Sequence, residues 1–239
     1  NIDLIIIGDS HGGAISPGVQ MSLVNTKGKG DVLNLRAAGC IPLKGIVHRN
    51  DAMFSGCDKY NNYLFKELES KYQDVPVLII ARLNLYLYGF NEKGEVNKPF
   101  IWVDGVEEYS EEFKRKFKNR FIKNMCELTK HHPVYILKPV PEVGIDVPNK
   151  MLANTMVGIT KDIRVSYDSY LSRNAYSEVI FKELMSTCNV TVLNPLPILE
   201  VEGGYMASKN GESLYRDSNH FNLLGAKIIS PVFDQIWQY

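Results

Sequence analysis

The 239-residue sequence balances 27 lysines and arginines against 27 aspartates and glutamates, and 45% of its residues are apolar. That length supports one α/β domain or two small ones with a core of their own, and zero net charge disfavours a nucleic acid or an anionic membrane surface as the main partner. No apolar run approaches the roughly 18 residues of a membrane span, and no signal peptide is visible.

The chain opens almost directly on a short apolar strand, 4–7, so it is expected to be a segment of a longer protein. The strand ends on Gly8-Asp9-Ser10-His11-Gly12-Gly13. A helix over 13–24 follows, then a strand at 32–35, an irregular stretch at 40–57 and a helix over 58–72. The next strand, 77–81, leads into the irregular stretch 88–109 and a helix over 111–130. Strand 134–137, the irregular stretch 139–170, helix 172–187, strand 190–193, the irregular stretch 196–215 and helix 221–237 complete the chain. The strands are short, rich in Val, Ile and Leu, and lack polar alternation, as expected of strands covered on both faces. In 111–130, Phe113, Phe117, Phe121, Met125 and Leu128 recur every three to four residues, a core stripe on a helix packed against a sheet. Five such strands with helical crossovers predict a doubly wound parallel sheet. The long irregular stretches all follow strands, so they should crowd one rim and shape what binds there.

There are four cysteines, too few for a disulfide-built scaffold. Cys40 and Cys57 fall in predicted loops, where a disulfide between them is one reading and reduced thiols of a cytosolic protein the other. Cys126 and Cys188, on apolar faces of predicted helices, are expected as buried free thiols. No CxxC pair or closely spaced His–Cys set suggests a zinc site.

Chemistry in open α/β sheets collects at the carboxyl ends of strands, which is where Ser10 lies. A serine hydroxyl needs an oriented base to become a nucleophile. Asp217-Ser218-Asn219-His220 offers an acid and an imidazole at a spacing that lets both point into one site. Ser10 is therefore the candidate nucleophile of acyl transfer, His220 its base and Asp217 the group that orients the imidazole. Candidate oxyanion donors are the backbone amide of Ser10, the amide of Gly39 or Cys40 after the second strand, and the Asn84 side chain after the third. Each piece alone has an ordinary reading: Asp9-Ser10 before a glycine pair also describes a helix cap.

These blocks resemble the SGNH (GDSL-like) hydrolase superfamily, whose first block is Gly-Asp-Ser and whose last is Asp-x-x-His. The likeness is greater to the SGNH domains at the C-terminus of acyltransferase-3 membrane proteins such as O-antigen O-acetyltransferases. His11, Gly39-Cys40-Ile41-Pro42 followed by Cys57, Ile80-Ala81-Arg82-Leu83-Asn84-Leu85-Tyr86 and Lys138-Pro139-Val140-Pro141-Glu142 carry it. The third block departs from both patterns: the superfamily has Gly-x-Asn-Asp there, and the acyltransferase-linked group has a tryptophan where Leu83 stands. The resemblance implies a three-layer α/β/α sandwich with a five-stranded parallel sheet, flavodoxin-like, over a single domain 1–239.

It also implies an O-acetyltransferase domain in the periplasm, joined to an N-terminal transmembrane acyltransferase-3 domain of a bacterial inner-membrane protein. Acetyl-CoA would be the ultimate donor, with no cofactor bound by this domain, and a polysaccharide hydroxyl the acceptor. Isolated, the domain would act as a weak acetylesterase. His11, Arg82, Tyr86 and Glu142 are candidate substrate contacts, and the compartment permits the Cys40–Cys57 disulfide. Competing readings are a stand-alone carbohydrate acetylesterase or lipase, a polysaccharide-binding module using Tyr86, Tyr88, Trp102 and Tyr109, and a metallophosphoesterase read from Asp9-Ser10-His11-Gly12.

Overall fold

The computed structural model describes residues 2–48, 56–89, 92 and 99–238. Parts of the irregular stretches 40–57 and 88–109, at 49–55, 90–91 and 93–98, lie outside the described residues.

The central sheet contains β1 (Ile2–Gly8), β2 (Asp31–Arg36), β3 (Val77–Ile80), β4 (Val134–Leu137) and β5 (Val190–Leu193). All pairs are parallel, in the order β2-β1-β3-β4-β5. The predicted five strands are therefore present. Their lack of alternation has the expected cause, because both faces are covered. Ile5, Ile7, Val77, Ile79, Val134 and Ile136 enter one core, and Leu4, Ile6, Leu78, Ile80, Tyr135 and Leu137 enter the other.

The first core is closed by three helices, α2 (Cys57–Lys71), α4 (Glu111–Leu128) and α6 (Tyr167–Thr187). They supply Phe65, Leu68, Phe113, Phe117, Phe121, Ile180, Phe181 and Leu184. The second is closed by α1 (Ser10–Lys27) and by the C-terminal segment, α8 (Leu223–Ile228) and a 3₁₀ helix, Ser230–Trp237. The predicted helix 221–237 is thus two pieces. Pro231, near the start of the second, has no N–H to continue an α-helical ladder.

Helix α1 begins at Ser10, three residues earlier than predicted, because Asp9 caps it. Gly18 lets α1 approach α8 closely: a Cβ there would stand 2.2 Å from the Ala226 carbonyl oxygen. Trp237 reinforces the contact by donating from its indole N–H to Ser22 Oγ at 2.8 Å. Three short helices, α3 (Leu83–Tyr88), α5 (Val147–Met156) and α7 (Leu196–Leu199), occupy stretches not predicted as helical.

Cys40 is disulfide-bonded to Cys57. Cys126 and Cys188, expected as free thiols, are bonded to each other, with a Cα separation of 5.4 Å. The helix α4 stripe turns Cys126 toward the C-terminal end of α6, and the two apolar faces that seemed to bury thiols bring them together.

Candidate active site

The site forms where β1 stops. Gly8 closes the strand with φ of 152°, and a Cβ at that position would lie 1.8 Å from the Ile80 carbonyl oxygen. Only glycine lets β1 and β3 run this close at their carboxyl ends. Asp9, 1% exposed, uses both carboxylate oxygens on the protein. Oδ1 accepts the His11 N–H at 2.9 Å; Oδ2 accepts the Arg82 N–H at 2.8 Å and the Tyr86 hydroxyl at 3.0 Å. Ser10 is thereby fixed at the first turn of α1, with its backbone N–H among those that have no carbonyl within the helix.

The Asp217–His220 turn reaches Ser10 from the other end of the chain. Asp217 Oδ1 accepts the backbone N–H groups of Asn219 at 2.9 Å and His220 at 2.7 Å. Its Oδ2 lies 2.8 Å from His220 Nδ1, and His220 Nε2 lies 2.8 Å from Ser10 Oγ. Burial would raise the Asp217 carboxyl, but the two backbone N–H groups and the His220 imidazole outweigh it and hold the pKa below the usual value. An ionised Asp217 can only accept, so Nδ1 carries the hydrogen and Nε2 accepts from the serine hydroxyl. Burial chiefly lowers the His220 pKa, helped by His11 and opposed by Asp217. Such a line can transfer a proton from Ser10 to a neutral imidazole when the oxygen attacks a carbonyl.

Around this line the structure redistributes the other predicted residues. Ala37, whose N–H donates to the Gly8 carbonyl, begins a turn closed by the Cys40 N–H on the Ala37 carbonyl, at 3.1 and 3.0 Å. Gly39 has φ of 71° in that turn, a backbone that favours glycine. The Cys40 amide is engaged within the turn, which leaves Ser10 and Gly39 as the backbone candidates for an oxyanion.

Asn84 does not join them. Its side chain is fully buried, donates to Asn174 Oδ1 at 2.8 Å and accepts from Ser177 Oγ at 2.7 Å. Helix α3 turns it toward α6. Tyr86 is likewise enclosed, with its phenol held well above the usual range by burial and then by the Asp9 charge. It braces Asp9 and is no surface contact for a substrate. These three donors give Asp9 a bracing role in the fold, which the metallophosphoesterase reading does not call for.

His11 places Nε2 3.0 Å from Asn219 Oδ1, and its ring centroid lies 4.7 Å from that of His220. Arg82 and Glu142 are buried in an ionic cluster. Glu142 Oε2 accepts from Arg82 Nη2 at 2.9 Å and Arg173 Nη2 at 3.0 Å. Glu92 Oε1 accepts from Arg82 Nη2 at 2.7 Å, Ser218 Oγ at 2.8 Å and Asn219 Nδ2 at 2.7 Å. Burial alone would raise the Glu142 carboxyl, but Arg82 and Arg173 hold it below its usual value.

Sequence reasoning missed Glu92, Arg173 and Asn219, and it read Asp9 as a cap of α1 without its further hold on Arg82 and Tyr86. Asp9 and Asn219 lie inside the two recognised blocks, where an acid before a helix and an amide between acid and base were available signals. Glu92 and Arg173 carry none, being isolated charges in a loop and on a helix.

A family model described as the SGNH domain, fused to AT3 domains, matches residues 1–235. The chain belongs to this SGNH family. No curated protein matches the domain. Among solved structures, the SGNH domain is similar to the periplasmic domain of a lipopolysaccharide acetyltransferase from Salmonella ser. Paratyphi A. The TM-score is 0.70 at 16% identity, over 98% of this chain and 83% of that one. It is also similar to a putative lipolytic protein of the G-D-S-L family from Desulfitobacterium hafniense DCB-2, with a TM-score of 0.50 at 13% identity over 99% of both chains. At these identities the likeness concerns the fold: the five-stranded α/β/α sandwich of the SGNH domain is that of an SGNH hydrolase. Among the described residues, no helix is long and apolar enough to cross a membrane.

Proposed function

We propose that the SGNH domain is an O-acetyltransferase that moves an acetyl group through Ser10, His220 and Asp217 to a hydroxyl of a cell-surface polysaccharide of the O-antigen kind. The observation that carries this reading is the unbroken line from Ser10 Oγ through His220 to Asp217, with both contacts at 2.8 Å. The family's fusion to AT3 domains supplies its context. In this proposal residues 1–239 form one periplasmic domain of a bacterial inner-membrane protein. Its AT3 membrane domain brings the acetyl group across from acetyl-CoA.

Ser10 Oγ attacks the acetyl carbonyl as Nε2 of His220 takes its proton, and Asp217 stabilises the imidazolium. The Ser10 and Gly39 backbone N–H groups serve the developing oxyanion; such donors cost no reorganisation because the fold already fixes them. The imidazolium then protonates the leaving group. His11 keeps Asn219, and so the turn that carries His220, in place. With Asp217 and His220 at 38% and 18% side-chain exposure, water also reaches the site, which supports acetylesterase activity when no sugar is present.

Release of nitrophenol from 4-nitrophenyl acetate tests the mechanism. Ser10→Ala and His220→Ala are each expected to lower turnover by a factor on the order of 10³ or more. Turnover that persists in either variant overturns it.

A further inference from the structure

Ser10 and His220 meet directly, and a second path of hydrogen bonds joins the same two segments away from that contact. Asp9 Oδ2 accepts the Arg82 N–H at 2.8 Å, Arg82 Nη2 donates to Glu92 Oε1 at 2.7 Å, and Glu92 Oε1 accepts from Asn219 Nδ2 at 2.7 Å. Ser218 Oγ adds a bond to the same oxygen at 2.8 Å. The path starts one residue before the nucleophile and ends one residue before its base. With the 2.8 Å contact of His220 Nε2 on Ser10 Oγ it closes a circuit. Asp9 and Arg82 are buried and the Glu92 side chain is 12% exposed, so water competes little for these bonds.

The 217–220 turn belongs to no strand of the central sheet. The loop before α5 holds its carbonyls, with the Val143 N–H on Ser218 at 2.8 Å and the Val147 N–H on Asp217 at 3.4 Å. Glu92 holds its side chains and ties them, through Arg82, to the end of β1. It also sets what Asn219 presents to His11. A carboxylate paired with a guanidinium can only accept, so Asn219 turns Nδ2 to Glu92 and Oδ1 to His11 Nε2, 3.0 Å away. His11 then carries its hydrogen on Nε2, with its ring 4.7 Å from that of His220. One acid thus orients the turn, the amide and the neighbouring imidazole.

We infer that Glu92 is a positioning residue of the active site: through Ser218 and Asn219 it keeps His220 within hydrogen-bond reach of Ser10. The inference rests on the serine mechanism proposed above. Glu92 needs no contact with the reacting atoms for this. Its effect is geometric, and a displacement of about 1 Å at reacting groups can cost about 10² in rate.

The test compares the wild-type chain with Glu92→Ala, Glu92→Gln, Asn219→Ala and the double variant Glu92→Ala/Asn219→Ala in hydrolysis of 4-nitrophenyl acetate. Glu92→Ala should lower kcat about 10²-fold and change KM less than about two-fold. Glu92→Gln, whose amide oxygen still accepts from Asn219, should recover most of that loss. The two single changes cut the same tie, so the double variant should fall within about two-fold of the worse single one.

The acidic limb of kcat/KM reads the same tie independently. Burial chiefly lowers the His220 pKa, and the charged and titratable groups acting on it are His11, Asp217 and Arg216. A turn released from Glu92 admits water and loosens His11, so the limb of Glu92→Ala should move up toward pH 6.5. An acid that served stability alone would lower the urea midpoint and leave kcat and the limb of the folded enzyme unchanged. That result overturns the inference, as do a Gln variant no better than Ala and losses that multiply in the double variant. If circular dichroism shows Glu92→Ala unfolded, Asn219→Ala decides: an unchanged kcat and limb there overturn the inference. Turnover that survives Ser10→Ala instead overturns the serine mechanism itself, so the two failures are distinct.

Discussion

A short chain of hydrogen bonds through Asn219, Glu92 and Arg82 joins two regions built around carboxylates, and their surroundings are opposite. Asp217 keeps 38% of its side chain exposed and faces one imidazole; Glu142 keeps 2% and is gripped by two guanidiniums. Both have lowered pKa values against the pull of burial, for different reasons. Two backbone N–H groups act first at Asp217, whereas permanent cations act first at Glu142. In the proposed mechanism, the carboxylate that answers a transient imidazolium is held by dipoles and left near water. One that only has to hold a loop and a helix together is sealed among fixed charges.

Breaking each region separately should show that division. Asp217→Asn keeps an acceptor for the backbone N–H groups but removes the charge that orients and stabilises His220. Ester turnover should fall by about 10³ to 10⁴, with the urea midpoint little changed. Glu142→Ala leaves two buried guanidiniums without their carboxylate. It should cost about 3–5 kcal/mol in urea unfolding, and an unchanged midpoint would undo the contrast.

Gly18→Ala tests the close contact of α1 with α8, which seats the helix that follows the 217–220 turn. Forcing a methyl group against the Ala226 carbonyl should destabilise the domain by about 1–3 kcal/mol in the same assay.

The mildest probe is pH. Because the His220 pKa lies below 6.5, the base form dominates above that value. The acidic limb of kcat/KM should therefore fall below pH 6.5, and a limb above it would contradict the neutral imidazole. For Glu142 the folded pKa lies below 4.5, so its stabilisation is fully present above 4.5 and disappears as pH falls through the lowered value. Glu142→Gln should flatten that part of a plot of thermal midpoint against pH.

Where a residue's neighbours are set by local pattern, the sequence was readable. The unalternating run Leu4-Ile5-Ile6-Ile7 stated that β1 is covered on both faces, and Asp217-Ser218-Asn219-His220 placed an acid and a base on one turn. The direction of Asn84 was not readable. Each residue of a helix rotates its side chain by about 100°, so a six-residue helix entered from an irregular turn gives no stripe from which to fix its facing side. The pairing of Cys126 with Cys188, 62 residues apart, depends on where α4 ends relative to α6, a tertiary fact with no local signature. Glu92 belongs with these. A lone acid in a long loop looks solvated until the three donors that surround it are assembled.

The contact between Ser10 and His220 spans 210 positions of sequence. Ser10 is therefore made early and His220 late, and the contact between them cannot form while the chain that separates them is still emerging. In the proposed mechanism the proton transfer therefore needs both segments of the fold, joined where α8 seats on α1 at Gly18.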